Sequence, residues 1–428
     1  MNNWHFTELG QLCTIHIGGT PSRAVSSYWA SSKDVGFNWV SISDMKGRVV
    51  SSTAESITID GIKNSNVKEV LTGSLMMSFK LSLGRMAFAG KNLYTNEAIA
   101  SFELNENLID KDFLYYQLSE VVRDTITDAA IKGATLNKQK LNSLLVPHPA
   151  LSTQKAIAAI LCCIDERIAI TEKIIDKYTV IKKGMMADLF SRGIDSVTGQ
   201  LRPCIQDAPK LYHETALGLL PKDWNVLTMQ SVAEDSRGST VIGPFGSDLV
   251  ASDYRSDGVP VVFVRDIKEN SFRWVSNTFI SNEKAQRLSA HSVSGDDVVV
   301  TKMGLPPCIA ATYPDNMPSG VITADIIRVR PNKTKVFSEW LSLVINSDEV
   351  KKQVEKITAG VTRPKVTLKD FRQLQGRFPP RTEQYEILKR LEPINSSIKL
   401  EELALVKLKQ QKAGLMRDLL TGKVPVSA

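Results

Sequence analysis

The chain has 428 residues, 43% hydrophobic and 23% charged, with a formal net charge of +7. These values exclude a disordered or collagen-like chain, and no run approaches the roughly 18 apolar residues of a membrane span. The length exceeds one ordinary core, so several domains are expected, and the basic surplus favours an anionic partner such as nucleic acid.

Residues 1–150 read as a mixed α and β unit. The runs at 37–45, 74–81, 85–90 and 98–104 are strand candidates separated by Gly, Asn and Ser turns. A helix is predicted over 110–128, opened by Asp110 and Asp112 and carrying Phe113, Tyr116, Leu118, Val121, Val122 and Ile126 at helical spacing. The loop Lys132-Gly133-Ala134-Thr135 ends it, and a strand through LNSLLVP closes the unit.

From 152 to 192 apolar residues recur in steps of four and three: Ile157, Leu161, Ile164, Ile168, Ile175, Tyr178, Met185 and Leu189, with Thr171 and Lys182 in the gaps. This is a heptad stripe on a helix that spans roughly 60 Å at about 1.5 Å per residue. The stretch 194–222 has no sustained period and is rich in Pro, Gly and polar residues, as a linker is. Residues 223–380 then repeat the first unit loosely. Asp44, Gly73 and Lys80 line up with Asp266, Gly295 and Lys302, each pair 222 apart, and a helix over 338–357 answers that of the first unit.

A second stripe follows, displaced by 230 residues: Ile387, Leu391, Ile394, Ile398, Leu405, Leu408, Leu415 and Leu419, with Glu401 and Lys412 in the gaps. Both copies open on Ser-Thr-Gln or Thr-Glu-Gln, at 152–154 and 382–384, and both close on a Gly-x-Met-x-Asp-Leu phrase at 184–190 and 414–420. Duplication of the whole design is the economical explanation. The expected fold is therefore α+β: two tandem mixed α/β domains alternate with two long helices that pair as an antiparallel coiled coil about a pseudo-two-fold axis. Pro393 is expected to kink the second helix or to mark a later start.

Gly18-Gly19-Thr20-Pro21-Ser22, Tyr28-Trp29 and Asn38 to Met45 resemble the opening of a target recognition domain in the DNA specificity subunit of type I restriction-modification systems, the HsdS family. Gly243 to Ser247, Asp253-Tyr254 and Gly258 to Val261 resemble it again, and the helix phrase Gln154 to Leu161 looks like that family's spacer. Asn38 stands where the family commonly has Pro, and Tyr254 lacks a following Trp. The resemblance implies recognition domains over 1–150 and 223–380, spacer helices over 151–193 and 381–428, and a linker at 194–222. It further implies a sequence-specific binder of double-stranded DNA, each domain reading half of a split target. Two methyltransferase subunits would dock on the helices, and restriction-translocation subunits would join them.

The resemblance also implies a reader without catalysis, with S-adenosylmethionine on the methyltransferase partner and no cofactor here. The sequence agrees: it has no Asn-Pro-Pro-(Tyr/Phe), no Gly-rich cofactor loop and no phosphate-loop motif, and Leu305-Pro306-Pro307-Cys308 is no substitute. The five cysteines lack ligand spacing, so no metal is expected. With an opening, MNNWHFTELG, that has no basic or apolar run, they point to the cytoplasm. Base-reading candidates are polar or cationic residues on loops. In the first unit these are Ser22, Arg23, Lys46, Lys80, Ser82, Arg85, Thr135, Asn137 and Lys138. In the second they are Ser247, Asp248, Arg265, Lys268, Lys302, Thr362, Arg363 and Lys365. Asp165, Glu166, Glu172, Lys173 and Asp176 would face a docked helical partner. The alternative is a coiled-coil protein-interaction scaffold that does not bind DNA.

Overall fold

The computed structural model describes residues 4–426 except 33–34, 81, 128–135, 359 and 361–363. Contacts divide the chain into two units, residues 1–174 with 401–428, and residues 175–400.

In the first unit a five-stranded sheet runs in the order Cys13–Ile17, Ile99–Leu104, Leu75–Ser78, Met86–Ala89, Val49–Val50. A four-stranded sheet runs Glu55–Ile57, Phe37–Val40, Leu93–Thr95, Glu69–Val70. The expected strands are all present. Leu75–Ser78 and Met86–Ala89 are buried at every position, which is why they read as unbroken apolar runs rather than as alternation. The predicted helix is Lys111–Thr127. Asp110 caps it, its Oδ1 accepting from the Asp112 and Phe113 amides at 3.0 and 2.9 Å.

The second unit repeats this topology without the edge strand Val49–Val50. Thr240–Ile242, Ile326–Val329, Val298–Thr301 and Ala310–Thr312 form one sheet; Phe279–Ile280, Val259–Val262, Gly320–Ile322 and Ser292–Val293 form the other. Each unit has a parallel pair at the same place, Phe37–Val40 with Leu93–Thr95 and Val259–Val262 with Gly320–Ile322. The helix predicted over 338–357 is instead two, Ser338–Ile345 and Asp348–Thr358. Asn346 breaks it: its amide donates to Asn270 Oδ1 and the Ala310 carbonyl, both at 2.8 Å, and accepts from the Ala310 amide at 3.0 Å. Anchoring the chain to a strand in this way competes with helix continuation.

The long helices are Leu151–Ser191 and Arg381–Leu419. Every stripe position is buried or half-buried, gap residues included, whereas Ile160, Ile170, Val180 and Leu403 off the stripe are exposed. Pro393 does not delay the second helix, which starts at Arg381 and runs through it. Pro393 and Lys389, one turn earlier, are both exposed, so the carbonyl left without its amide partner lies on the solvent side, where it costs least.

Each unit's core takes in pieces of both helices. Ile157, Ala158 and Leu161 share the first core with Leu415, Met416, Leu419 and Leu420; Leu189 and Phe190 share the second with Ile387 and Leu391. Lys412 reaches Asp165 at 2.6 Å and Lys409 reaches Glu172 at 2.8 Å. The repeated glutamine at each helix start is wholly buried. Gln154 accepts from the Asp110 amide at 2.8 Å and donates to the Leu108 and Pro149 carbonyls at 3.0 and 2.9 Å. Gln384 does the same with the Phe337 amide at 3.0 Å and the Lys335 and Pro379 carbonyls at 2.9 and 3.0 Å. One amide side chain thus ties each long helix to the start of the short helix in its own domain.

The stretch read as a linker is ordered and packed in the second unit. It contains the hairpin Tyr212–Thr215 with Gly218–Pro221 and the buried side chains of Ile194 and Leu220. Buried Arg202 donates to both Glu383 oxygens, at 2.5 and 3.0 Å. Absence of periodicity marked irregular backbone, which a buried ion pair holds in place.

Gln384→Leu keeps the volume but leaves one buried amide and two carbonyls unpaired. Urea unfolding followed by tryptophan fluorescence is expected to show the second unit destabilised by about 2–4 kcal/mol.

Candidate nucleic-acid interface

The loops holding most candidates leave each domain where its two sheets adjoin. Gly18 and Gly243 each donate their amide to the first residue of the strand beside them, Ile99 or Ile326, at 3.1 Å. A Cβ would lie 2.3 Å from the Thr95 and Asn96 carbonyls at Gly18, and 2.1 Å from the Thr323 carbonyl at Gly243. Only glycine fits such an approach, so Gly18 and Gly243 are explained by packing.

Asp44 and Asp266 also act on backbone. Each closes a 3-10 turn by accepting from the amide three residues earlier, Ser41 or Phe263, at 2.8 Å. Asp44 also takes the Ala54 amide at 3.1 Å, and Asp266 those of Val275 and Ser276 at 2.9 Å. These carboxylates shape the loops carrying Lys46, Arg265 and Lys268.

The pairing of Lys80 with Lys302 is off by one residue. Ser78 stands opposite Ile99 as Thr301 stands opposite Ile326, so the strands align at 223 and Lys302 corresponds to Phe79. The turn before each strand agrees: Gly73 has φ +83° and its counterpart is Asp296, at φ 69°, not Gly295. One residue is inserted between the aspartate and the strand. Aspartate is among the few residues that accept this conformation, which hid the shift.

Several first-unit candidates are occupied within the protein. Arg23 donates to Glu55 at 2.5 and 2.9 Å and lies 3.6 Å over the Trp29 ring. Trp39 is buried, and its indole donates to the Gly19 carbonyl at 2.9 Å. Asn137 caps the short helix Lys138–Asn142, accepting from the Lys140 amide at 2.8 Å. Ser22, Ser82 and Lys138 are exposed, and Lys80 is half-buried with Nζ 5.6 Å from the Phe79 ring. Lys46 and Arg85 come together, lining a 560 Å³ cavity with Arg48, Lys412 and Tyr115. Thr135, Thr362 and Arg363 lie outside the described residues.

Arg48, not singled out from the sequence, binds Tyr116 Oη at 2.6 Å and Asp112 at 2.5 Å. Burial works against its charge, but Tyr116, Cys162 and Asp112 outweigh it and hold the guanidinium above its ordinary range. Burial, and then the hydrogen bond to Asp165, push the Tyr116 phenol up. Asp165 and Glu172, read as outward docking charges, are turned instead to Tyr116 and Lys412 and to Lys409.

In the second unit Arg265, Lys268, Ser247, Asp248 and Lys365 are exposed, and Lys302 is half-buried. Arg265 donates to Ser276 Oγ at 2.7 Å and lies 4.4 Å over the Phe263 ring. With Lys268 it lines a 640 Å³ cavity whose walls include Tyr254, Phe263, Met303 and Leu305. Lys365 bridges backbone to backbone with Met303, beside Lys302. Sequence reading passed over Phe245 and Leu305; the signal was a large apolar residue inside a Gly/Pro turn. Among the described residues no cluster could hold a metal ion, and no helix is long and apolar enough to cross a membrane.

Two copies of one mixed α/β domain, each joined to a long helix and presenting cationic loops, define a duplicated recognition module. The sequence matches the profile of the type I restriction modification DNA specificity domain over residues 1–179 and again over 221–410, and the chain belongs to that family. It is 21% identical over 347 residues to the type I restriction enzyme MjaVIII specificity subunit of Methanocaldococcus jannaschii, covering 79% of this chain and 76% of that one. It is 22% identical over 306 residues to the EcoBI specificity subunit of Escherichia coli, covering 70% and 62%. The crystal structure of a type I restriction-modification S subunit from M. genitalium shares the fold, with a TM-score of 0.61 and 15% identity over 100% of this chain and 97% of that one.

Asp266→Ala leaves three loop amides without their acceptor. It is expected to cost about 3 kcal/mol, measured by thermal unfolding.

Proposed function

We propose that this chain is the DNA specificity subunit of a type I restriction-modification complex. Each recognition domain reads one half of a bipartite target, and the helices set the gap between the halves. The carrying observation is the repetition: the same two-sheet domain, with the same loop-shaping glycine and aspartate, occurs twice, each time followed by a long helix. A reader of one continuous site has no need of two such domains on rods.

The helices pair antiparallel through their stripes. Support comes from Asp165 with Lys412 and Glu172 with Lys409, where numbering rises on one helix as it falls on the other. The outward faces of the helices dock two methyltransferase subunits, one per repeat, and restriction-translocation subunits join that complex. Methyl transfer and its S-adenosylmethionine belong to the partner; this chain supplies recognition without catalysis. Exposed cations such as Lys46, Arg85, Lys268 and Lys365 engage phosphates, which fixes the register in which polar loop groups meet base edges.

The test is to co-express the chain with its methyltransferase subunit and sequence the methylated positions in host DNA. Two short defined blocks around a fixed unspecified gap are expected. One continuous motif would mean that a single domain reads, and no methylation would favour the scaffold. Lys268→Ala and Lys365→Ala are each expected to reduce the salt dependence of binding by about one unit of slope, read from titrations at several salt concentrations.

A further inference from the structure

Two large apolar side chains stand out from the second recognition domain among its cations. Phe245, at the tip of the Gly243–Ser247 loop, is 62% exposed, and Leu305, between Gly304 and Pro306, is 88% exposed. The loops converge: Lys302 Nζ, three residues before Leu305, lies 5.9 Å from the Phe245 ring, and Pro244, Gly246 and Leu305 all line the 640 Å³ cavity. Arg265, Lys268 and the carboxylate Asp325 line the same cavity, Lys302 neighbours the Phe245 ring, and Lys365 pairs backbone to backbone with Met303.

Leaving a Leu and a Phe in water forgoes their burial, so a built-in apolar pair implies an occupant that covers it. The cationic surround selects a polyanion. A duplex held by those cations would press on Phe245 and Leu305; a thymine methyl in the major groove is too small to cover both, and the larger apolar surface is the faces of the bases, reached by opening a step. We propose that Phe245 and Leu305 form an apolar wedge that enters the duplex at one half-site and unstacks a base step. This rests on the recognition reading above and adds a mode of reading to it. Steps that open easily are favoured, so the wedge selects sequence through deformability as well as through hydrogen bonds. The first domain has Thr20 in place of Phe245, so it lacks the aromatic half of the pair. The wedge therefore acts on one half-site only.

The test uses the chain co-purified with its methyltransferase subunit and duplexes of the methylated motif carrying 2-aminopurine at successive positions. Outside the methylated bases, which the partner itself extrudes, fluorescence is expected to rise on binding at one step of one half-site. The double variant Phe245→Ser/Leu305→Ser should abolish the rise and weaken target binding about tenfold, while Leu305→Met retains the rise. Sequence-specific binding with no brightened position, or a double variant that binds and brightens like the wild type, overturns the wedge alone. So does a double variant that sheds the methyltransferase subunit but still brightens DNA, which would make the pair a protein contact. Binding without sequence preference overturns the recognition reading, and the wedge with it.

Discussion

A helix of about 40 residues with a single apolar stripe cannot remain folded in water unless the stripe is covered, and everything else in this chain is arranged around that requirement. The cover is supplied locally. The first unit buries the opening turns of one helix with the closing turns of the other, and the second unit does the reverse. Neither core is complete without a segment distant in sequence, so recognition domain and spacer fold as one object. Gln154 and Gln384 add direction to this packing, since three hydrogen bonds from one planar group leave little freedom of angle between helix and domain.

The domains share a frame but differ where the frame meets the helices. Arg48 in the first unit is caged by Asp112, Tyr116 and Asp165, while Asn270 in the second meets Ser342 and Asn346 through neutral amide and hydroxyl groups. A charged cage and a neutral one both satisfy buried polar atoms. The loops diverge as well: Arg23 is locked to Glu55 and Trp29 in one domain, whereas Phe245 and Leu305 stand exposed in the other. Two domains of one design thus present unlike loop surfaces.

Much of this was legible in the residues because its causes are periodic or local. Heptads, caps and buried strands each impose a pattern within a few turns of chain, and Asp44 and Asp266 recur because one carboxylate geometry closes one kind of turn. The failures were non-local. The helix at 338–357 breaks because Asn346 finds a strand 36 residues away. The lysine pairing slipped because an insertion between two landmarks leaves no trace in either; only ladder hydrogen bonds count residues across a sheet. Nor does polarity on a loop reveal whether a side chain already holds a partner within the protein, as Arg23 does with Glu55 and Asn137 with the Lys140 amide.

Spacing and backbone sterics suffice for the duplication, the long helices with their apolar stripes, and the glycines and aspartates that shape the loops. Which cations are exposed, which are caged, and where apolar side chains are left in water follow only from the assembled fold. Those outcomes depend on groups brought together from across the chain, and burial and charge pairing belong to the assembled surface rather than to any stretch of residues.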